Sequence, residues 1–213
     1  MISILIVDDH PVVRQGLKQI LAEEFPSATF GEAQNASEAL DLVTRRRWDI
    51  VILDISLPGK SGLELLKELK RKKATLPVLV LTMLTEEQLA ARVLKAGADG
   101  YLKKENAPDE LVRAIKIVLA GGKYVNPTLA QALTFDLAAD TGRPLHASLS
   151  DREYHVLCMI ASGKTAREIA GDLCLSVKTI NTFRGRILKK LSKRTNVELT
   201  RYAIENRLVD TKA

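Results

Sequence analysis

Long apolar runs are missing from this sequence. Nowhere in its 213 residues is there a stretch approaching the ~18 consecutive apolar residues of a membrane-spanning helix, which excludes a chain that crosses a bilayer that way. Cysteine is nearly absent as well. Cys158 and Cys174 are the only two and have no metal-ligand spacing, so reduced, packed thiols in a cytoplasmic protein are expected. The start, Met1-Ile2-Ser3, lacks a signal-peptide pattern and leads straight into a strand-like run. A third absence is local: residues 178–194 hold seven lysines and arginines and no acid.

That local absence belongs to a wider asymmetry. The net charge is +6, yet residues 1–122 carry 17 bases and 17 acids, and residues 123–147 carry two of each. Residues 148–213 carry 13 bases and seven acids, so the whole excess lies there. The length suits one or two domains. A neutral first domain followed by a basic second one points to a nucleic-acid partner.

The first part is organised around residues 50–54, Ile-Val-Ile-Leu-Asp. A short continuous apolar run bounded by turn residues reads as a strand buried on both faces. It stops at Asp54; Pro58 and Gly59 turn the chain, and Ser61 opens a helix. Similar runs are Ile4–Val7, ending in Asp8-Asp9, and Pro77–Thr82, ending in a hydroxyl; Asp99–Leu102 is shorter and precedes Lys103-Lys104. A weaker strand spans Ala28–Ala33. Helical stripes follow each strand, from Val12, from Ala36 or Ser37, from Leu63, from Thr85 and from Pro108. Parallel strands need crossovers and the helices supply them, so the fold class is α/β, a (βα)5 doubly wound parallel sheet. Residues 123–148 have no strong period and are expected to be the linker between the two domains, although Leu129–Leu137 could be a helix.

Taken alone, Asp54 could merely cap a turn, Asp9 could cap a helix, and Thr82 could be strand packing. Together Asp8, Asp9, Asp54, Thr82 and Lys104 each close or follow an apolar strand, at the edge where open α/β sheets bind ligands. Clustered carboxylates repel one another, and a hard divalent cation such as Mg²⁺, which takes oxygen ligands, relieves this. Asp54 is then a carboxylate nucleophile toward phosphorus, with Lys104 offsetting charge on the phosphoryl group.

Asp8-Asp9, Asp54-Ile55-Ser56-Leu57-Pro58-Gly59, Thr82 and Gly100-Tyr101-Leu102-Lys103-Lys104, in that order, resemble the receiver domain of bacterial two-component response regulators over residues 1–122. The resemblance implies a flavodoxin-like fold, Asp54 as phosphoacceptor, and Mg²⁺ held by Asp8, Asp9, Asp54 and the Ser56 carbonyl. It further implies Thr82 as the hydroxyl that meets the phosphoryl group and Tyr101 as the aromatic that moves with it. Lys104, three residues after that aromatic, is selected over Lys103.

The second part, 149–213, reads as all helical. Ser150-Asp151-Arg152-Glu153 fits a capping box. Helices are expected from that cap through Tyr154, Val156, Leu157 and Ile160 to Gly163, then over Thr165–Leu173, Val177–Leu191 and Val197–Arg207, with a tight break at Cys174-Leu175-Ser176. The basic run lies on the helix after that break, where a helix-turn-helix places its groove-reading helix. Leu149–Glu153, Ile160–Lys164, Glu168-Ile169-Ala170 and Leu175–Ile180 resemble the LuxR-type helix-turn-helix, and the whole chain resembles the NarL/FixJ class. Phe183 stands where that family often has His. Gly185 lies mid-helix, either to allow close approach to a backbone or merely tolerated.

Within 178–190, Lys178, Thr179, Asn181, Thr182, Arg184, Arg186, Lys189 and Lys190 are the candidate DNA contacts. Asn181 and Thr182 suit base edges. Lys178, Arg184, Lys189 and Lys190 suit phosphates. The expected protein is a cytoplasmic transcription regulator, phosphorylated by a sensor histidine kinase or a small acyl phosphate. It would bind double-stranded DNA as a homodimer when phosphorylated or DNA-bound, with no membrane partner. The rival is a phosphatase of the haloacid-dehalogenase type, which needs a second Asp two residues after its nucleophile; position 56 is Ser.

Overall fold

The computed structural model describes residues 1–58, 60–82, 87–125, 144–206 and 208–209. The expected turn residue Gly59, the helix start at Thr85, the possible helix over Leu129–Leu137 and the helix end at Arg207 lie outside them. The chain divides into two compact units.

In the first unit, strands and helices alternate: β1 (Ser3–Val7), α1 (Pro11–Glu24), β2 (Thr29–Ala33), α2 (Ala36–Arg45), β3 (Ile50–Asp54), α3 (Gly62–Lys72), β4 (Val78–Thr82), α4 (Glu87–Lys95), β5 (Gly100–Lys103) and α5 (Ala107–Leu119). A sixth strand, β6 (Tyr124–Val125), follows, and all strands run parallel in the order β2-β1-β3-β4-β5-β6. The sixth strand lies in the stretch expected to be linker. Two residues are too few for any period, and only pairing of Tyr124 with Gly100 and Val125 with Tyr101 makes them a strand.

β3 and β4 are buried along their whole lengths, as continuous apolar runs require. Ile4, Ile6, Ile50, Ile52, Leu79, Leu81 and Leu102 pack with Leu17 and Leu21 of α1 and Leu111, Ala114, Ile115 and Val118 of α5. The chain winds from β1 outward to β2 and then returns past β1 to β3, so the order reverses between β1 and β3. Such a reversal leaves a crevice beyond the carboxyl ends of the two strands.

The second unit has helices α6 (Asp151–Ala161), α7 (Ala166–Asp172), α8 (Val177–Lys190) and α9 (Asn196–Glu205). Each start is fixed by a hydroxyl. Ser150, Thr165 and Thr195 accept from the third backbone N–H of their helices and complete capping boxes with Glu153, Glu168 and Glu198, while Ser176 accepts from Thr179 N. A 3-10 turn, Leu145–Ser148, precedes α6, and His146 is buried with Nδ1 2.9 Å from the Tyr202 hydroxyl. The C-terminal part of the expected linker is therefore packed on this unit.

Candidate phosphoryl site and nucleic-acid interface

Register brings the acidic residues together. Val7 pairs with Leu53 across β1 and β3, so Asp8 and Asp54, one residue on, leave the sheet side by side. Asp54 pairs with Leu81 and Thr82 with Lys103, which sets Thr82 and Lys104 one step farther along the same edge. Asp8, Asp54 and Thr82 are buried. The Lys104 ammonium lies 2.6 Å from Asp8 Oδ2 and 2.7 Å from Asp54 Oδ2. Asp54 Oδ1 accepts the Ser56 N–H at 3.0 Å.

Burial pushes the Asp54 carboxyl above the usual range, against the pull of Lys104 and the Ser56 N–H. Burial alone would lower Lys104, but Asp54 and Asp8 outweigh it and hold the ammonium more firmly protonated than a free lysine. Asp9 is half-buried, and its Oδ1 is enclosed with no partner among the described residues but the His10 ring nitrogen, 2.9 Å away. Ligand atoms of Asp8, Asp9, His10 and Asp54 all lie within 4.8 Å of one another. Three carboxylates face one ammonium, so a hard divalent cation with a preference for oxygen fits this donor set. Receiver domains use Mg²⁺ at such an acidic pocket.

Tyr101 is buried opposite Val80 in β5. Three further residues shape the site and carried no chemical signal in the sequence. His10 N–H donates to Asp8 Oδ1 at 2.8 Å, and Arg14 donates to the Asp8 carbonyl at 2.6 Å. Gly62, first residue of α3, donates to the Ile55 carbonyl at 3.0 Å. A Cβ on Gly62 would sit 2.3 Å from the Asp54 carbonyl oxygen and 2.5 Å from Ile55 Cα. Only hydrogen fits there, and α3 thereby rests directly on the backbone that carries Asp54. A glycine immediately after a Ser N-cap was the available cue.

On α8, Ile180 and Ile187 face the core, and Lys178, Asn181, Thr182, Gly185, Arg186 and Lys189 are exposed. Thr179 is half-buried, with Oγ1 2.8 Å from Ser176 Oγ at the cap. Thr182 Oγ1 donates to the Lys178 carbonyl at 2.9 Å. Two candidate phosphate contacts turn back to the protein. Arg184 Nε donates to Asn196 Oδ1 at 2.5 Å. The Lys190 ammonium sits 2.6 Å from Glu153 Oε2 and 3.2 Å from the Ser148 carbonyl. Each thus has a partner within its own unit that a phosphate would have to share or displace. Among the described residues no helix is long and apolar enough to cross a membrane.

Comparison with known proteins agrees with both halves. The response regulator receiver domain matches residues 4–116, and the bacterial regulatory proteins of the luxR family match residues 147–203. Response regulator GacA of Pseudomonas protegens is 37% identical over 210 residues, covering 99% of either chain. Response regulator UvrY of Escherichia coli is 38% identical over 209 residues, covering 98% of this chain and 96% of that one. A structure of two RcsB dimers bound to two parallel DNAs superposes with a TM-score of 0.60 at 28% identity, covering 94% of this chain and 97% of that one. Phosphorylation of the receiver is the activity of such proteins, which are DNA-binding regulators and not turnover enzymes. A receiver pocket closed by register and a LuxR-type helical unit, matched along their lengths, make this chain a member of the bacterial two-component response regulators of the NarL/FixJ class.

Proposed function

We propose that Asp54 accepts a phosphoryl group from a sensor histidine kinase, and that the modified receiver promotes homodimeric binding of the second unit to double-stranded DNA. One observation carries the reading: Lys104 bridges Asp8 and Asp54 at the point where the strand order reverses. Asp8, Asp9, Asp54 and the Ser56 carbonyl would hold Mg²⁺, which when bound supplies positive charge against the phosphoryl oxygens. Asp54 Oδ attacks phosphorus, and the bond to the donor breaks as the aspartyl phosphate forms. Lys104 then pairs with a phosphoryl oxygen and Thr82 donates a hydrogen bond to another. Tyr101 moves with Thr82, shifting the population of receiver conformations.

We place the receiver at residues 1–125, since β6 completes its sheet, and the DNA-binding unit from Leu145, since His146 packs on Tyr202. The segment between them is the linker. For DNA, Asn181 and Thr182 face base edges in the major groove, and Lys178, Arg186 and Lys189 face phosphates. Thr179 positions the helix start. Dimerisation is supported by the exposed Val197 and Ile204, which with Thr200 and Arg201 form a stripe on α9, and by the RcsB dimers on DNA. The chain works in the cytoplasm, where both kinase output and DNA are available.

The test is phosphoryl uptake from acetyl phosphate, with native sizing and genomic footprinting of the same samples. Uptake should need Mg²⁺, vanish in Asp54→Asn and fall steeply in Asp9→Ala. Undiminished labelling in chelator, or in Asp54→Asn, would overturn the site.

A further inference from the structure

Gly185 stands ninth in the fourteen-residue helix α8. Apart from proline, glycine is the residue least suited to a helix interior, so its presence calls for a reason. The chain itself provides none. Its φ is not in the left-handed region, where only Gly97, Gly121 and Gly163 lie among the described glycines. A Cβ built on it meets no atom of another part of the described residues within 4 Å. A methyl group would fit this protein there.

Gly16 and Gly171 also face open space, so openness alone decides nothing. The second observation is position. Residues three, four and seven before Gly185, and four after it, share its side of a 3.6-residue helix. These are Thr182, Asn181, Lys178 and Lys189, all exposed. Gly185 is thus at the centre of the outward face. The surrounding stretch, 178–194, carries no acid. The long side chain of Arg184, which could have folded over the gap, is drawn away to Asn196. What remains is a shallow notch in a basic face, floored by bare backbone.

We propose that Gly185 is a positioning residue for DNA, its missing side chain letting the middle of α8 approach the floor of the major groove. This rests on the docking of α8 proposed above. The close approach brings Asn181 and Thr182 within hydrogen-bond reach of base edges. A methyl group at 185 holds the helix off the bases while leaving the flanking lysines free to reach phosphates. The loss therefore falls on specific binding far more than on binding to any duplex.

The test uses the full chain, phosphorylated with acetyl phosphate and Mg²⁺. Binding is measured on a duplex recovered by genomic footprinting and on a scrambled duplex of equal length, alongside thermal unfolding. Gly185→Ala should melt higher than the native chain. It should bind the footprinted duplex at least tenfold more weakly and the scrambled one within about twofold of native. Gly185→Gln should lose more. Unchanged affinity with a raised melting temperature would overturn the proposal and make the glycine merely tolerated. A lowered melting temperature would overturn it too, by showing an internal need for glycine. Lys189→Ala separates the two layers of inference. If it weakens binding on both duplexes while Gly185→Ala does nothing, only the notch fails. If Lys189→Ala also leaves binding unaltered, α8 is not docked by this face, and the docking and the notch fall together.

Discussion

Lys190 can be asked whether it serves the DNA or the fold. Its ammonium is 2.6 Å from Glu153 Oε2, with the Glu153 side chain 4% exposed and that of Lys190 38% exposed. Glu153 also accepts the Ser150 N–H at 2.8 Å, closing the cap of α6. Burial would raise this carboxyl, yet Lys190 and Ser150 hold it below the ordinary Glu range. Lys190→Ala would strand a buried carboxylate with one donor. Breaking a fully buried pair costs about 3–5 kcal/mol, and an exposed pair is worth about 0.2–1 kcal/mol. With one partner buried and the other more than a third exposed, the loss should be about 2 kcal/mol. For a unit of this size that is a fall of roughly 10 °C in melting temperature. Adding Glu153→Gln removes the stranded charge, so the double variant should lose less than the two single losses combined. The same Lys190→Ala protein should keep its salt dependence of DNA binding. A phosphate contact would instead leave stability nearly untouched and lower the slope of log affinity against log salt by about 0.9. Urea unfolding and binding at several salt concentrations decide it. Native stability with a shallower slope would refute the reasoning from the ion pair.

Other consequences can be measured directly. Lys178→Ala and Lys189→Ala should each weaken binding to all duplexes and lower the salt slope by about one unit; Asn181→Ala should cost about 1–3 kcal/mol on the preferred duplex with the slope unchanged. His155 is buried, with no partner for Nδ1 among the described residues, and burial, with Arg152 and Lys164 nearby, brings its pKa down to about 4. The unfolded chain therefore binds the extra proton first, and stability falls as pH drops from about 6.5 toward 4. The C-terminal unit should be about 2 kcal/mol less stable to urea at pH 5 than at pH 7, and His155→Leu should remove that difference. A Cβ at Gly31 would lie 2.1 Å from Trp48 Cη2, in a ring fixed by its bond to the Leu42 carbonyl and by Arg46 stacked 3.6 Å above it. Gly31→Ala should cost about 1–3 kcal/mol, with part of the loss recovered in a Gly31→Ala, Trp48→Leu chain when both are melted.

Whatever depends on neighbours along the chain could be read from the sequence. Ile50–Leu53 is apolar without interruption because both faces of β3 are covered, and Asp54 stands out because it ends that run. Ser150 and Glu153 declare a helix start by spacing alone. What depends on distant partners was hidden. Lys190 and Glu153 are 37 residues apart, so Lys190 looked like one more base in a basic run. The Arg184 bond to Asn196, 12 residues on, was hidden for the same reason. Tyr124-Val125 is a strand only because β5 offers it a free edge. Within the receiver site, the acidic groups and Lys104 announced themselves, while His10 and Arg14 act by backbone contacts that no residue pattern records, and Gly62 left only its place after the Ser61 cap as a cue.

Gly62 has a consequence for how this protein would respond to mutagenesis. It has no side chain, and so no charge or titratable group, yet a single added methyl would collide with the Asp54 carbonyl and with Ile55. A screen scored by phosphoryl uptake would rank position 62 beside Asp54, the phosphoacceptor proposed above. Read by its score, the site would seem to hold an extra participant in the chemistry. The difference would lie in what kind of replacement restores function: at 54 the proposed role requires a carboxylate, and at 62 the fold requires empty space. Intolerance at a position thus measures either a reacting group or a volume that must stay vacant, and in this fold the two stand eight residues apart on touching backbone.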